Sequence, residues 1–85
     1  MQTTIRYFAS VREDIGRGSE TLDLPEHLRT LGDVRAWLTQ RSARHAIALT
    51  GDKTLRMACD HVMAEVDALI VPGCEVAFFP PVTGG

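Results

Sequence analysis

The chain has 85 residues, 45% of them hydrophobic and 24% charged, with a formal net charge of −2. That length supports one modestly stable domain, and mixed charge with apolar residues throughout excludes a disordered chain. There is no basic run to suggest a nucleic-acid partner and no apolar run near the roughly 20 residues needed to cross a bilayer. The two cysteines are too few for a disulfide framework or an all-cysteine iron–sulfur cluster.

The first element is a strand over Thr3 to Ala9, with Ile5 and Tyr7 on one face and Thr4 and Arg6 on the other. Phe8 breaks that apolar–polar alternation and is read as covering the opposite side. Ser10 to Arg17 is a connection with a helical turn around Val11–Asp14, punctuated by Gly16 and Gly18. Glu20 to Leu24 is a second strand, ended by Pro25.

Leu31 to Ala43 is the main helix. Thr30 is its N-cap, with Asp33 at capping-box spacing, and Leu31, Val34 and Leu38 form an apolar stripe beside Trp37. Arg35, Arg41 and Arg44 are read as a solvated face, and His27 and His45 as surface residues. Gly51–Lys53 is a turn, and Leu55, Met57 and Cys59 alternate with polar or small residues as a third strand, which His61–Met63 continue or follow with another. Asp67 to Val71 is an irregular connection and Pro72-Gly73 a turn. Glu75 to Phe79 is the last strand, and its continuous apolar run Val76–Phe79 suits a central position or cover on both faces.

Strand pairs on either side of a helix, joined by a right-handed crossover, give an α+β fold of the β-grasp, or ubiquitin-like, class. It has a mixed sheet with one main helix packed on one face, and the first and last strands are central parallel neighbours. The expected organisation is a domain over residues 1–79 and an extended tail over 80–85.

The tail, Pro80-Pro81-Val82-Thr83-Gly84-Gly85, carries the most information. Pro80 ends the strand, Pro81 keeps the backbone extended, and the segment can reach roughly 20 Å at about 3.3 Å per residue. Glycines lack Cβ and can thread a narrow channel, and the α-carboxylate, with an ordinary pKa near 3.5, is ionised at neutral pH. A carboxylate is a poor electrophile and needs activation. No P-loop is present, so a partner must supply ATP chemistry. A terminal Gly-Gly arises by chance at roughly 0.5%, so its position one extended step after the last β-grasp strand is the more specific signal.

The ending Glu75–Gly85 and the opening Ile5–Glu13 resemble the MoaD family, the sulfur-carrying small subunits of molybdopterin synthase. Two positions depart from the usual pattern: Gly73-Cys74 stands where the family has Gly-Asp, and Asp60 where Asn is frequent. The resemblance implies a carrier that is not an enzyme on its own and binds no cofactor or metal. A MoeB-like E1 partner would use ATP to adenylate Gly85, and a sulfur donor would convert it to a thiocarboxylate (1-thioglycine). The tail, Val82, Thr83 and Gly84, would enter a MoaE-like large subunit holding the catalytic residues and deliver sulfur to cyclic pyranopterin monophosphate. Phe8, Phe79, Pro80 and Pro81 would dock, and a heterotetramer would follow if the large subunit is a dimer. The expected location is the cytoplasm, without nucleic-acid or membrane partners. Alternatives are a ThiS-like carrier for thiazole synthesis or another sulfuration pathway, a ubiquitin-like protein modifier, and a binding module with an inert tail.

Among the remaining residues, Cys59 alternates with core positions and reads as a buried thiol, whereas Cys74 in its turn is open to exposure and reaction. Cys59-x-His61 lacks a second ligand pair, which argues against zinc.

Overall fold

The computed structural model describes residues 1–81. Among these lie five strands and three helices in the order β1 (Gln2–Tyr7), α1 (Ala9–Ile15), β2 (Ser19–Asp23), α2 (Leu31–Leu38), α3 (Ala43–Leu49), β3 (Arg56–Cys59), β4 (Val62–Ala64) and β5 (Glu75–Phe79). The strands form one sheet in the order β2-β1-β5-β3-β4. β1 and β5 are the parallel central pair, with Tyr7 opposite Phe78, and the other pairings are antiparallel. This is the β-grasp arrangement expected from the sequence.

Alternation decides which side of the sheet is filled. Ile5, Tyr7, Val76, Phe78 and Met57 point to the helices and are buried with Val11, Leu31, Val34, Leu38 and Leu49. Thr30 caps α2 in both directions: its Oγ1 accepts from the Asp33 N–H at 3.1 Å, and the Thr30 N–H donates to Asp33 Oδ2 at 3.1 Å.

The single long helix is corrected. α2 stops at Leu38, and Gln40 and Arg41 turn back through bonds to the carbonyls of Trp37 and Leu38. Ser42, extended at φ −162°, then caps a separate α3 by accepting from the His45 N–H. The connection after β1 is also more ordered than a single helical turn: α1 buries Val11 and Ile15 and ends at Gly16, whose φ of 91° is the left-handed C-cap conformation.

Arg35 is not a solvated charge. Its guanidinium donates to the carbonyls of Leu49, Thr50 and Lys53 at 2.8, 2.6 and 2.7 Å and so closes the C-terminal end of α3. His45 is not a surface residue either, since its side chain is only 12% exposed. Its Nε2 lies 2.7 Å from Glu20 Oε2, which also accepts from the Tyr7 hydroxyl at 2.6 Å. This part-buried chain ties α3 to β1 and β2. Among the described residues no helix is long and apolar enough to cross a membrane.

Candidate functional site: the open sheet face at the tail root

The helices cover one face of the sheet and leave the other bare. On the bare face stand Thr4, Arg6 and Phe8 from the first strand and its end, Glu75, Ala77 and Phe79 from β5, Arg56 and Ala58 from β3, and Met63 from β4. Phe8 keeps the positional alternation of β1 but brings an aromatic ring to the outer side. It is 43% exposed and meets Phe79 edge to face, with ring centroids 6.4 Å apart. Ala58 and Ala77 are register partners, and their small side chains leave a depression of about 210 Å³ between Phe8, Phe79 and Met63.

The rim of this depression is charged. Glu75 accepts from Arg6 Nη1 at 3.1 Å and lies 2.9 Å from His61 Nε2, and Arg6 sits over the Phe8 ring at 5.6 Å. His61 is presented by a tight turn between β3 and β4 in which Asp60 and His61 both have positive φ, 51° and 69°. Asp60 anchors that turn, because its Oδ1 accepts from the Glu75 N–H at 2.9 Å while its own N–H donates to the Glu75 carbonyl at 2.8 Å. The Asp at this position therefore serves as a side-chain acceptor, as an Asn could.

Of the expected docking residues, Phe8 and Phe79 are brought together, and Pro80 and Pro81 follow directly from β5. Val82, Thr83, Gly84 and Gly85 lie outside the described residues. Arg6, Ala58, Met63 and Ala77 belong to the same face but were not among the residues expected to dock. The signal was available: once Ile5, Met57, Val76 and Phe78 face the core, period-two geometry sends their neighbours outward. A larger cleft of about 390 Å³, lined by Met1, Leu28, Leu69, Ile70 and Pro72, lies at the other end of the sheet from the tail root.

Cys74 is buried, only 2% exposed, rather than open in its turn. It follows Gly73, whose φ of 81° turns the chain so that Cys74 points into the core before β5 begins. Burial pushes the Cys59 thiol up to about 11, and a hydrogen bond with Cys74 and the nearby Cys74 and Asp60 groups add to that shift.

The ThiS family model matches residues 5–85. The chain belongs to the ThiS family. As a member of that family it is 36% identical over 95% of its length, and 96% of the relative's, to the molybdopterin synthase sulfur carrier subunit of Haemophilus influenzae. Its fold is also that of the small archaeal modifier protein SAMP1 of Haloferax volcanii, with a TM-score of 0.75 and 23% identity over 100% of both chains. A complex of subunits 1 and 2 of the molybdopterin-converting factor of Helicobacter pylori contains a similar chain, with a TM-score of 0.67 and 17% identity over 100% of each chain. This ThiS-family chain is thus a ubiquitin-like β-grasp protein whose relatives include molybdopterin synthase carriers.

Proposed function

We propose that this chain is the sulfur-carrying small subunit of a molybdopterin synthase, and that Gly85 is its working residue. The supporting observation is the continuity of the open apolar face, Phe8, Ala58, Met63, Ala77 and Phe79, with the strand that leads into Pro80-Pro81-Val82-Thr83-Gly84-Gly85. A central strand that is apolar on both sides but covered on only one is suited to receive a second protein. Kinship with the Haemophilus influenzae carrier indicates which protein that is: a large subunit of molybdopterin synthase.

In this reading an E1-like adenylyltransferase docks first. The Gly85 carboxylate attacks the α-phosphorus of ATP and pyrophosphate leaves. A sulfide-level sulfur nucleophile then displaces AMP from the acyl carbon to leave the thiocarboxylate directly; if the donor is instead a persulfide, the acyl disulfide first formed is cleaved by a second thiol, which ends in a disulfide with the donor sulfur and releases the thiocarboxylate. The large subunit then takes the tail, with Phe8, Phe79, Pro80 and Pro81 against it and Val82, Thr83 and Gly84 in its channel, and the thiocarboxylate passes sulfur to cyclic pyranopterin monophosphate. The chain itself supplies no acid, base or metal to these steps. Its part is to hold the tail root rigid, so that little ordering is needed when the tail enters.

The test is an intact mass of the chain after incubation with the activating enzyme, ATP and a sulfur source. One carboxylate oxygen replaced by sulfur is the expected result, followed by molybdopterin formation when large subunit and precursor are added. An unmodified mass with an authentic activator, or full transfer by a variant lacking Gly85, would refute the reading.

A further inference from the structure

β4 ends the sheet, and the pairing beside it fixes which backbone groups face outward. The two-residue loop Asp60-His61 is closed by the Cys59–Val62 pair, and such loops close on a hydrogen-bonded pair. Ladder bonds recur at every second residue, so Met57 bonds Ala64, while Ala58 lies opposite Met63 without bonds to it. The other side of β3 agrees: the Asp60 N–H donates across to the Glu75 carbonyl at 2.8 Å, which turns Asp60 and Ala58 towards β5. The N–H and C=O of Met63 therefore point away from β3, at the open edge. Among the described residues neither takes part in another backbone hydrogen bond.

Nothing within β4 guards this edge. Natural sheets blunt an exposed edge with a charge, a proline or a bulge inside the strand. Val62-Met63-Ala64 has no charge and no proline, and its register with β3 is regular. The opposite edge, β2, carries Glu20 and Asp23 within its five residues. Val62 is 67% exposed and Met63 55%, so the unguarded edge is also apolar.

The charges just outside the strand indicate what pairs with it. His61 and Glu65 stand two residues to either side of Met63, so strand alternation brings all three side chains to the open face. A two-fold axis at Met63 lays β4 antiparallel to β4 of a second copy. Met63 then faces Met63, Val62 faces Ala64, and His61 faces Glu65 at both ends. Each Met63 N–H meets the other copy's Met63 carbonyl. His61 Nε2 is held by Glu75 at 2.9 Å, which leaves Nδ1 for the second copy's Glu65. Glu65 itself forms no ion pair among the described residues.

We propose that β4 is a self-association edge: two copies of this chain join through antiparallel β4 strands about a two-fold at Met63, doubling the five-stranded sheet. The pairing is independent of the chemistry at Gly85. A second copy is favoured over an unrelated strand because this strand carries both halves of the charge pair, in the register that an antiparallel two-fold requires. Three paired residues cover little area, so the dimer is weak, with a Kd of about 0.1 mM.

The test is sedimentation equilibrium of the full chain from about 10 μM to about 1 mM, where the mass should rise from 9.3 kDa towards twice that value. Met63→Pro removes an outward N–H and no bond within the sheet, so it should melt as wild type does and stay monomeric across the range. Glu65→Lys sets a like charge against His61 and should weaken pairing about fivefold. In wild type, amide exchange at Met63 should slow as concentration rises. A wild type that stays monomeric throughout overturns the proposal. So does a dimer that Met63→Pro leaves intact, because it must use another surface. Should Met63→Pro fail to fold, exchange at the wild-type Met63 amide that does not change with concentration overturns the proposal equally.

Discussion

Phe8 and Phe79 touch edge to face at the root of the tail, with centroids 6.4 Å apart, one closing the first strand and the other the last. Because both rings stand on the uncovered side of the sheet, they contribute less to folding than to contact. Phe79→Ala should lower unfolding free energy by only about 1 kcal/mol. It should weaken the complex with the large subunit by tenfold or more, as central aromatic anchors do. Urea melts and calorimetric titration of the same variant check the two parts.

Gly32 is fixed by close approach. A Cβ on Gly32 would meet Val66 Cγ2 at 2.5 Å and the Val66 carbonyl oxygen at 3.1 Å. Gly32→Ala should therefore destabilise by about 1–2 kcal/mol despite the better helix propensity of alanine, and adding Val66→Ala should recover part of the loss. Chemical denaturation of the single and double variants measures both effects.

Glu20 sets the acid limb of stability. Burial pushes its carboxyl upward, but hydrogen bonds from His45 and Tyr7 and the charges of His45 and Arg17 outweigh this and hold it below its ordinary value of 4.5. Stabilisation from this group is fully present above that value and is lost as pH falls through the lowered one. Glu20→Gln should lose about 1–3 kcal/mol at pH 7 and show a flatter decline in acid, read by denaturation at stepped pH.

Cys59 is the more accessible thiol, yet it is the wrong group to relay sulfur. With its pKa pushed up to about 11, it holds about a hundredfold less thiolate at neutral pH than a thiol at the usual 9.0. Its alkylation by iodoacetamide should be slower than that of a free cysteine by a similar factor, and Cys59→Ser should keep full sulfur transfer. Fast labelling followed by mass spectrometry would contradict this.

Much of the fold was legible because the signals were local and periodic. Ile5 and Tyr7 alternated with polar residues, Thr30 and Asp33 formed a capping box, and Val76–Phe79 read as a central strand. The break at Ser42 was hidden because the residues ahead of it, Thr39 to Arg41, are compatible with a continuing helix, and only the Ser42 contact to His45 reveals a second start. The partial burial of His45 and the burial of Cys74 were equally hidden: the first follows from its contact with Glu20, distant in sequence, and the second from the turn at Gly73, whose positive φ aims Cys74 into the core. The face beside the tail root was half legible, because Ala58 and Ala77 look like unremarkable small residues until their register places them opposite one another.

The parallel alignment of β1 with β5 has a mechanical consequence. The two chain ends depart from opposite ends of one hydrogen-bonded ladder, so a pull on the C-terminus against a tethered N-terminus loads the Thr4–Tyr7 and Glu75–Phe78 contacts together, in shear. Unzipping them one at a time is not available in that geometry. In the carrier reading proposed above, a partner that holds the tail would load this ladder in shear rather than peel it from one end.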